Sequence, residues 1–411
     1  MKILIINSRY FISAGPERYM FNLIEVLKKH GHEVIPFSTK NKKNNKTIYE
    51  KYFADAIGGN DKVYYEEYNK FNPKTYIEMF GRQYYSFHVK NKLIKLIKAT
   101  KPDIAYILHH YNKLSPSIID ACKKENIPIV MRLSDFFLVC PESHLLNNSK
   151  PCEDCIKKSL YSAVKNKCVK NSTILSAIKS SALTFHRIIK IYDKVDHIIC
   201  PSEFTLKKVQ PVLKKRISYI PTFTSIKEPE PKKLGDYALF VGRVEEEKGL
   251  LDAIKAFEYI DFKLKIVGNS HSGYDKILKD YINKNNVKNI EFTGPKYGKN
   301  LHKMYRDSRF FVFPVVWYEN MPNVALEAMR FGKPIITTDI GSMREIVKNN
   351  VTGFLVSKGN INELKEKIKL LIKNTTICKK LGDNIYKESI TKYSEEKHYD
   401  KLIKVFESLV K

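Results

Sequence analysis

The chain has 411 residues, 43% of them hydrophobic and 12% aromatic, enough for two domains of ordinary size with a core each, which excludes disorder as the default. No apolar run approaches the roughly 20 residues of a membrane span, and the opening from Met1 to Asn7 is too short for a signal peptide, so a cytoplasmic protein is expected. The net charge of +28 favours anionic partners such as lipid headgroups, nucleic acid or sugar nucleotides, although Lys, Asn and Ile are abundant throughout and account for it equally well.

In chain order, a first strand runs into a loop, residues 7–15, and Pro16-Glu17-Arg18 begin a helix with Pro at its first position. Met20, Leu23, Ile24 and Leu27 give that helix one apolar face, and Gly31 ends it before a strand over 32–37. Gly15, where the loop meets the helix, is either a ligand contact or a plain turn residue. Residues 39–74 are rich in Lys, Asn and Tyr, with Tyr64, Tyr65 and Tyr68 clustered. Tyr76, Phe80, Tyr84 and Phe87 then fall near helical spacing, ahead of Lys90, Lys92, Lys95 and Lys98. Such a stripe lies on an anionic membrane or, more commonly, packs into a core with its charges solvated.

A buried strand from Ile104 to Leu108 ends at His109 and His110; a helix over 118–125 and a strand over 128–133 follow. Carboxyl ends of parallel strands face the ligand crevice of a doubly wound sheet, which makes His109, His110, Ser134 and Asp135 candidates by position. Asp135 suits a substrate hydroxyl; His109 is equally a structural strand-end residue.

Cys140, Cys152, Cys155 and Cys168 crowd one loop-rich segment, 137–171, and the pair Cys152/Cys155 has zinc-knuckle spacing. A structural zinc on these four thiolates is one expectation and free thiols the other; a cytoplasmic setting argues against disulfides. Cys122, Cys200 and Cys378 stand in apolar contexts and are expected in cores. After a strand over 196–200 and a helix capped around Ser202, residues 1–221 form the first expected domain. A linker over 222–236 has Glu228-Pro229-Glu230-Pro231-Lys232-Lys233 as its stiff, polar centre.

The second domain, 237–390, restarts with a strand from Tyr237 to Val241, then Gly242 and Arg243. Arg243 and Lys248 bracket a strand-to-helix turn, and two cations there suit a diphosphate whose leaving charge needs stabilising; a solvated pair is the plain alternative. The stretches 263–268 and 290–294 are further strand-plus-glycine units. The apolar run from Phe310 to Val316 reads as a buried strand, and a loop carrying Glu319 follows. Pro322 presets the first turn of a helix that Gly332 stops. Strand, tight loop and helix start together make an anion site. Glu327, a turn into the helix, and Glu319 would repel a phosphate there unless they bind its sugar hydroxyls instead. Residues 391–411 end the chain as a helix with Tyr399, Leu402, Phe406 and Leu409 on one face.

Two runs carry a resemblance: Gly242-Arg243 to Lys248-Gly249, and Glu319-Asn320-Met321-Pro322-Asn323 with Glu327 separated from Glu319 by seven residues. The chain resembles the family-four retaining glycosyltransferases of the bacterial surface-polysaccharide type. The resemblance implies an α/β GT-B architecture, two Rossmann-like doubly wound domains facing across a cleft, with the C-terminal helix crossing back to the first. It implies transfer from a nucleotide sugar, a UDP-sugar foremost, to a glycan or lipid-linked acceptor held by the first domain, without a metal for the transfer itself and with no nucleic-acid partner. Arg243 and Lys248 would stabilise the diphosphate and Glu327 hold the ribose. Glu319, Asn320, Met321, Pro322 and Asn323 would hold the donor sugar, with Gly242, Gly15, Gly294 and Pro295 around the nucleotide. The family's usual histidine near Asp135 is replaced here by Ser134. A GT-B sugar-nucleotide epimerase, and a basic nucleic-acid-binding protein, are the alternatives; steep salt-dependent affinity for DNA or RNA would mark the latter.

Overall fold

The computed structural model describes residues 1–63, 72–148, 150–213, 216–226 and 234–410. The tyrosine cluster at 64, 65 and 68 and the centre of the linker at 228–233 lie outside them. Two compact units emerge. The first comprises Met1–Leu145, Glu153–Ile220 and His398–Lys411; the second comprises Leu146–Cys152 and Pro221–Lys397.

The first unit is built on a six-stranded sheet of β1 (Lys2–Asn7), β2 (Glu33–Phe37), β3 (Ile104–His109), β4 (Ile129–Arg132), β7 (His197–Cys200) and β8 (Ile217–Tyr219). A small antiparallel hairpin, β5 (Leu146–Asn147) and β6 (Lys150–Pro151), stands outside it. The order is β2-β1-β3-β4-β7-β8, parallel throughout. β1 and β3 are buried almost end to end, as strands covered by helices on both faces must be. Strand order reverses at β1, leaving a crevice beyond the carboxyl ends of β1 and β3.

The aromatic stripe falls on two helices, Pro73–Tyr84 and Phe87–Thr100, because Ser86 caps the second through the amide of Val89. Tyr76, Phe80 and Phe87 are each more than half exposed, so the stripe is not core. The C-terminal helix, Glu395–Glu407, packs on the first unit. His398 Nε2 lies 2.9 Å from Tyr19 Oη, Tyr399 stacks on His30 at 3.6 Å, and Phe406 meets Tyr106 edge-on. Full burial of a side chain such as Phe406 contributes roughly 2–3 kcal/mol.

The fold does not gather Cys140, Cys152, Cys155 and Cys168 around one metal position among the described residues. Among the described residues no three His, Cys, Asp or Glu side chains are grouped to hold a metal, and none of the seven cysteines forms a disulfide. Cys140 is buried in a turn closed by its own amide on the Phe136 carbonyl, and burial pushes its thiol up. Cys155 starts a short helix, Asp154–Lys157, while Cys168 follows another, Tyr161–Lys165. Ordinary contacts pin the segment: Ser180 Oγ donates to the Leu160 carbonyl, the Val169 amide to Ser176 Oγ, and Lys208 Nζ to Glu153. Cys122, Cys200 and Cys378 are core residues as expected, their thiols pushed by burial to about 12, about 12 and about 11.

The second unit carries a second six-stranded sheet: β9 (Tyr237–Val241), β10 (Lys263–Val267), β11 (Ile290–Phe292), β12 (Phe310–Phe313), β13 (Ile335–Thr338) and β14 (Gly353–Val356). The order β11-β10-β9-β12-β13-β14 is again all parallel and reverses between β9 and β12. Helices Ile361–Lys373 and Thr375–Lys392, capped by Asn360 and Asn374, complete it. Among the described residues no helix is long and apolar enough to cross a membrane.

Candidate functional site

The carboxyl ends of β9 and β12 gather the residues that the sequence singled out. After β9 the chain turns through Gly242 and Arg243 into a single 3-10 turn, Glu246–Lys248, and then the helix Leu250–Phe257. Gly249 joins the two at φ +70°, and a Cβ there would stand 1.9 Å from the Pro314 carbonyl oxygen. Only glycine lets this turn lie against the end of β12, where the Val316 amide also donates to the Glu247 carbonyl. That approach carries Lys248 into the site.

Lys248 is buried, and its Nζ donates to Glu319 Oε1 at 2.5 Å. The same oxygen accepts Trp317 Nε1–H at 2.7 Å, and the ammonium lies 4.5 Å from the Trp317 ring centroid. Ser342 Oγ donates to the Glu319 carbonyl, fixing the loop from the β13 side. A buried ion pair is costly to desolvate, so its geometry has to be good and its remaining lone pairs satisfied, which the indole achieves here. Arg243 differs: its guanidinium is half exposed and pairs with Glu247 at 2.8 Å. Such a pair is worth about 0–1 kcal/mol and exchanges partners at little cost.

Pro322 is the cap of the next helix, Asn323–Arg330, rather than its first residue, with ψ 119° still extended. The helix stops at Phe331 with Gly332 at φ +62°, as expected of a glycine after a C-cap. Glu327 is buried on this helix, as are Ala325, Leu326, Ala328 and Met329. Asn320 and Asn323 are half-buried and Met321 buried. Gly242, Gly268 and Gly294 end three neighbouring strands: the Gly242 amide donates to Val267 and the Gly268 amide to Gly294. Gly268 has φ +151°, and a Cβ there would stand 1.8 Å from the Gly242 carbonyl oxygen. Pro295, beside Gly294, is exposed.

Glu245 belongs to the same loop and escaped the sequence reading. Its carboxylate accepts the amides of His271 at 2.7 Å and Ser272 at 3.3 Å, together with the Ser272 hydroxyl. Burial alone would raise its pKa, but these bonds and Arg243 outweigh that and hold the carboxyl below its ordinary value. The polar run Asn269 to Gly273 after β10 has the composition of a turn, but nothing local marks the carboxylate that clamps it.

In the first unit, His109, Ser134 and Asp135 come together at the ends of β3 and β4. His109 Nδ1 lies 2.9 Å from Ser8 Oγ and its Nε2 lies 3.8 Å from Asp135 Oδ2. Asp135 Oδ1 accepts the Phe137 amide, and Ser134 Oγ donates to the Leu108 carbonyl. His110 points elsewhere, into the core against Tyr192, where burial and the neighbouring His109 and His186 push its pKa to about 3. Gly15 opens the helix Gly15–Lys29, whose start is closed by Glu17 accepting the Ala14 amide.

Comparison with known proteins bears on the second unit most directly. Residues 222–388 match the model of a family described as glycosyl transferases group 1. The chain is 37% identical over 216 residues to an uncharacterized glycosyltransferase of Methanocaldococcus jannaschii, covering 52% of this chain and 60% of that protein. It is 28% identical over 177 residues to the capsular polysaccharide biosynthesis glycosyltransferase CapM of Staphylococcus aureus, covering 42% of this chain and 46% of that one. It therefore spans about half the length of the curated relatives it matches. Among solved structures, sucrose-phosphate synthase from Thermosynechococcus elongatus superposes with a TM-score of 0.70 at 16% identity, over 100% of this chain and 99% of that one. Anabaena HepE in complex with UDP-glucose gives 0.65 at 16% identity, over 99% and 100%. Identities this low speak to the fold alone.

Proposed function

We propose that the chain, whose residues 222–388 match the glycosyl transferases group 1 family and which is similar to a capsular polysaccharide biosynthesis glycosyltransferase, is a family-four GT-B enzyme that transfers a sugar from a nucleotide-sugar donor, a UDP-sugar foremost, to a glycan or lipid-linked acceptor with retention. The observation that carries this reading is the Lys248–Glu319 pair beneath Trp317, at the point where the second sheet reverses its order.

In this reading the bond from the donor's anomeric carbon to the diphosphate breaks with its electron pair on the leaving oxygen. The acceptor hydroxyl bonds to that carbon on the same face, releasing a nucleoside diphosphate and a proton. Arg243 swings from Glu247 onto the diphosphate, an inexpensive exchange for a half-exposed pair, while Lys248 supplies a fixed positive charge nearby. Glu327 takes the ribose hydroxyls. Glu319, its charge balanced by Lys248, takes a hydroxyl of the sugar together with the amides that follow it. Gly294 and Pro295 border the base. Asp135 and His109, with Ser134 beside them, serve the acceptor or the sugar. Exposed Tyr76, Ile77, Phe80 and Phe87 support a peripheral position on the inner face of a membrane, where lipid-linked acceptors reside.

Trp317 is the only tryptophan of the chain, so its fluorescence reports on this site alone. Titration with UDP, GDP and ADP, followed by that signal and by calorimetry, should select one nucleotide, bound at least tenfold more weakly by Glu327→Ala and Arg243→Ala. Failure of all three nucleotides to bind the parent protein would sink the proposal.

A further inference from the structure

The first unit has a pocket of its own beside β1 and β2, with Arg9, Lys40, Lys62 and Lys113 in its wall and Phe11 and Ile57 among its apolar lining. We propose that this pocket holds an acidic group of the acceptor, a phosphate or a uronate carboxylate, so that the enzyme acts on an anionic glycan or glycolipid. The inference rests on the transferase reading above.

Charge is the first argument. Four cations and no carboxylate line the pocket among the described residues. Among the described residues, Asp55 and Asp61 are the acids paired with the pocket's lysines, and both stand outside its wall. Asp55 is shared between Lys40 at 2.7 Å and Lys92 at 3.9 Å, with His88 also beside it, and Asp61 lies 3.9 Å from Lys62. Phe11 and Val63 are buried next to the cations, and an apolar wall strengthens each cation–anion contact by lowering the local dielectric.

Preorganisation is the second. Cations on a floppy loop would have to be ordered by the ligand, but this loop is already fixed. Thr39 Oγ1 donates to the Ser8 carbonyl at 2.8 Å, and the Lys40 amide to Ala54 at 2.9 Å. The Lys42 amide donates to Asn60, and Asn41 Nδ2 to the Lys62 carbonyl. Arg9 donates through Nη1 to Ser13 Oγ and through Nη2 to the Val63 carbonyl, bonds that orient the guanidinium. A planar fork held in this way suits a phosphate or carboxylate.

Position is the third. Arg9 directly follows β1, the strand at which the first sheet reverses its order, and Lys40 follows β2 beside it. The pocket therefore adjoins, on the β2 side, the crevice beyond β1 and β3 where ligands of doubly wound sheets bind. The proposal also absorbs part of the +28 charge that the donor site leaves unexplained.

The test titrates the full-length protein with glucose 6-phosphate, glucuronate and, as the neutral control, glucose. Parent protein is compared with Lys62→Gln and Lys113→Gln, and with Lys276→Gln on an exposed helix of the second unit; UDP is titrated into every sample. One acidic probe should bind at least about tenfold more tightly than glucose, and each pocket variant should lose about tenfold for that probe, as one charge-assisted bond is worth. UDP affinity and the Lys276→Gln protein should be unchanged. Preference for glucose 6-phosphate identifies the group as a phosphate, and preference for glucuronate as a carboxylate. Equal binding of glucose and both acids, or pocket variants indistinguishable from the parent, would overturn the proposal. So would a loss of UDP affinity in the pocket variants, which would make the pocket a nucleotide site. Acid probes binding as expected beside a parent that takes no nucleotide would overturn the transferase reading and leave the anion pocket in place.

Discussion

Lys248 and Glu319, 71 residues apart in sequence, form a buried ion pair at 2.5 Å whose shared oxygen is also bonded by the Trp317 indole. Each side chain is only about a tenth exposed, so neither charge has water to fall back on. Lys248→Met should therefore destabilise the second unit by about 3 kcal/mol, because it strands a buried carboxylate. The double variant Lys248→Met/Glu319→Gln should regain more than half of that loss. Urea denaturation followed by circular dichroism checks both, and a double variant no better than the single one would show that the pair is not coupled.

Glu245 should make stability depend on pH on the acid side. Its folded pKa lies below the ordinary 4.5, so its contribution is fully present above the unfolded value and is lost as pH falls through the folded one. Between pH 6 and pH 3 the melting temperature of the parent should fall more steeply than that of Glu245→Gln. The variant should also be less stable at pH 7, by about 1–3 kcal/mol, with the loop at 270–273 losing protection in hydrogen exchange.

His110 supplies a second acid limb, at higher pH. It is neutral in the fold, with a pKa near 3 against an ordinary 6.5, so the unfolded chain gains a proton that the folded chain refuses. Stability from this group is complete above about pH 6.5 and declines towards pH 3. In His110→Gln the decline between pH 6.5 and pH 5 should be shallower; a slope equal to the parent's would show that His110 already titrates normally.

Gly249 and Gly273 separate steric need from backbone preference. Both have positive φ, +70° and +84°, yet a Cβ at Gly273 meets nothing within 4 Å while one at Gly249 runs into Pro314. Gly273→Ala should cost about 1–2 kcal/mol, the left-handed penalty by itself. Gly249→Ala should cost clearly more and also weaken nucleotide binding, since the turn must back away from β12 and take Lys248 with it. Thermal melts with a UDP titration distinguish the two.

The strands Tyr237–Val241 and Phe310–Phe313 of the second sheet were legible because a parallel strand covered on both faces is a short, unbroken apolar run, whereas Gly353–Val356 at the sheet's edge was not. β8 was missed: a three-residue edge strand with half-buried side chains has neither the run nor a clear alternation. Pro322 was expected inside its helix and caps it instead, a shift of one residue of the kind that helix ends routinely show. The cysteine spacing suggested a metal, yet spacing states only what could converge. In the fold the segment is occupied by two short helices and side-chain clamps.

The sequence by itself determined most of the elements and their apolar cores, and it marked the loop from Glu319 to Asn323, since a turn glycine, a helix-starting proline and an apolar run act over a few residues. Only the tertiary structure decided which distant side chains meet. Glu319 lies under Lys248 because β12 pairs with β9; Glu245 holds the turn at 270–273 because β10 lies on the other side of β9. Arg9, Lys40, Lys62 and Lys113 share one wall because β1 lies between β2 and β3 and the loops that follow all three meet there. Strand order is fixed by burial summed over the whole sheet, and no window of a few residues contains that sum.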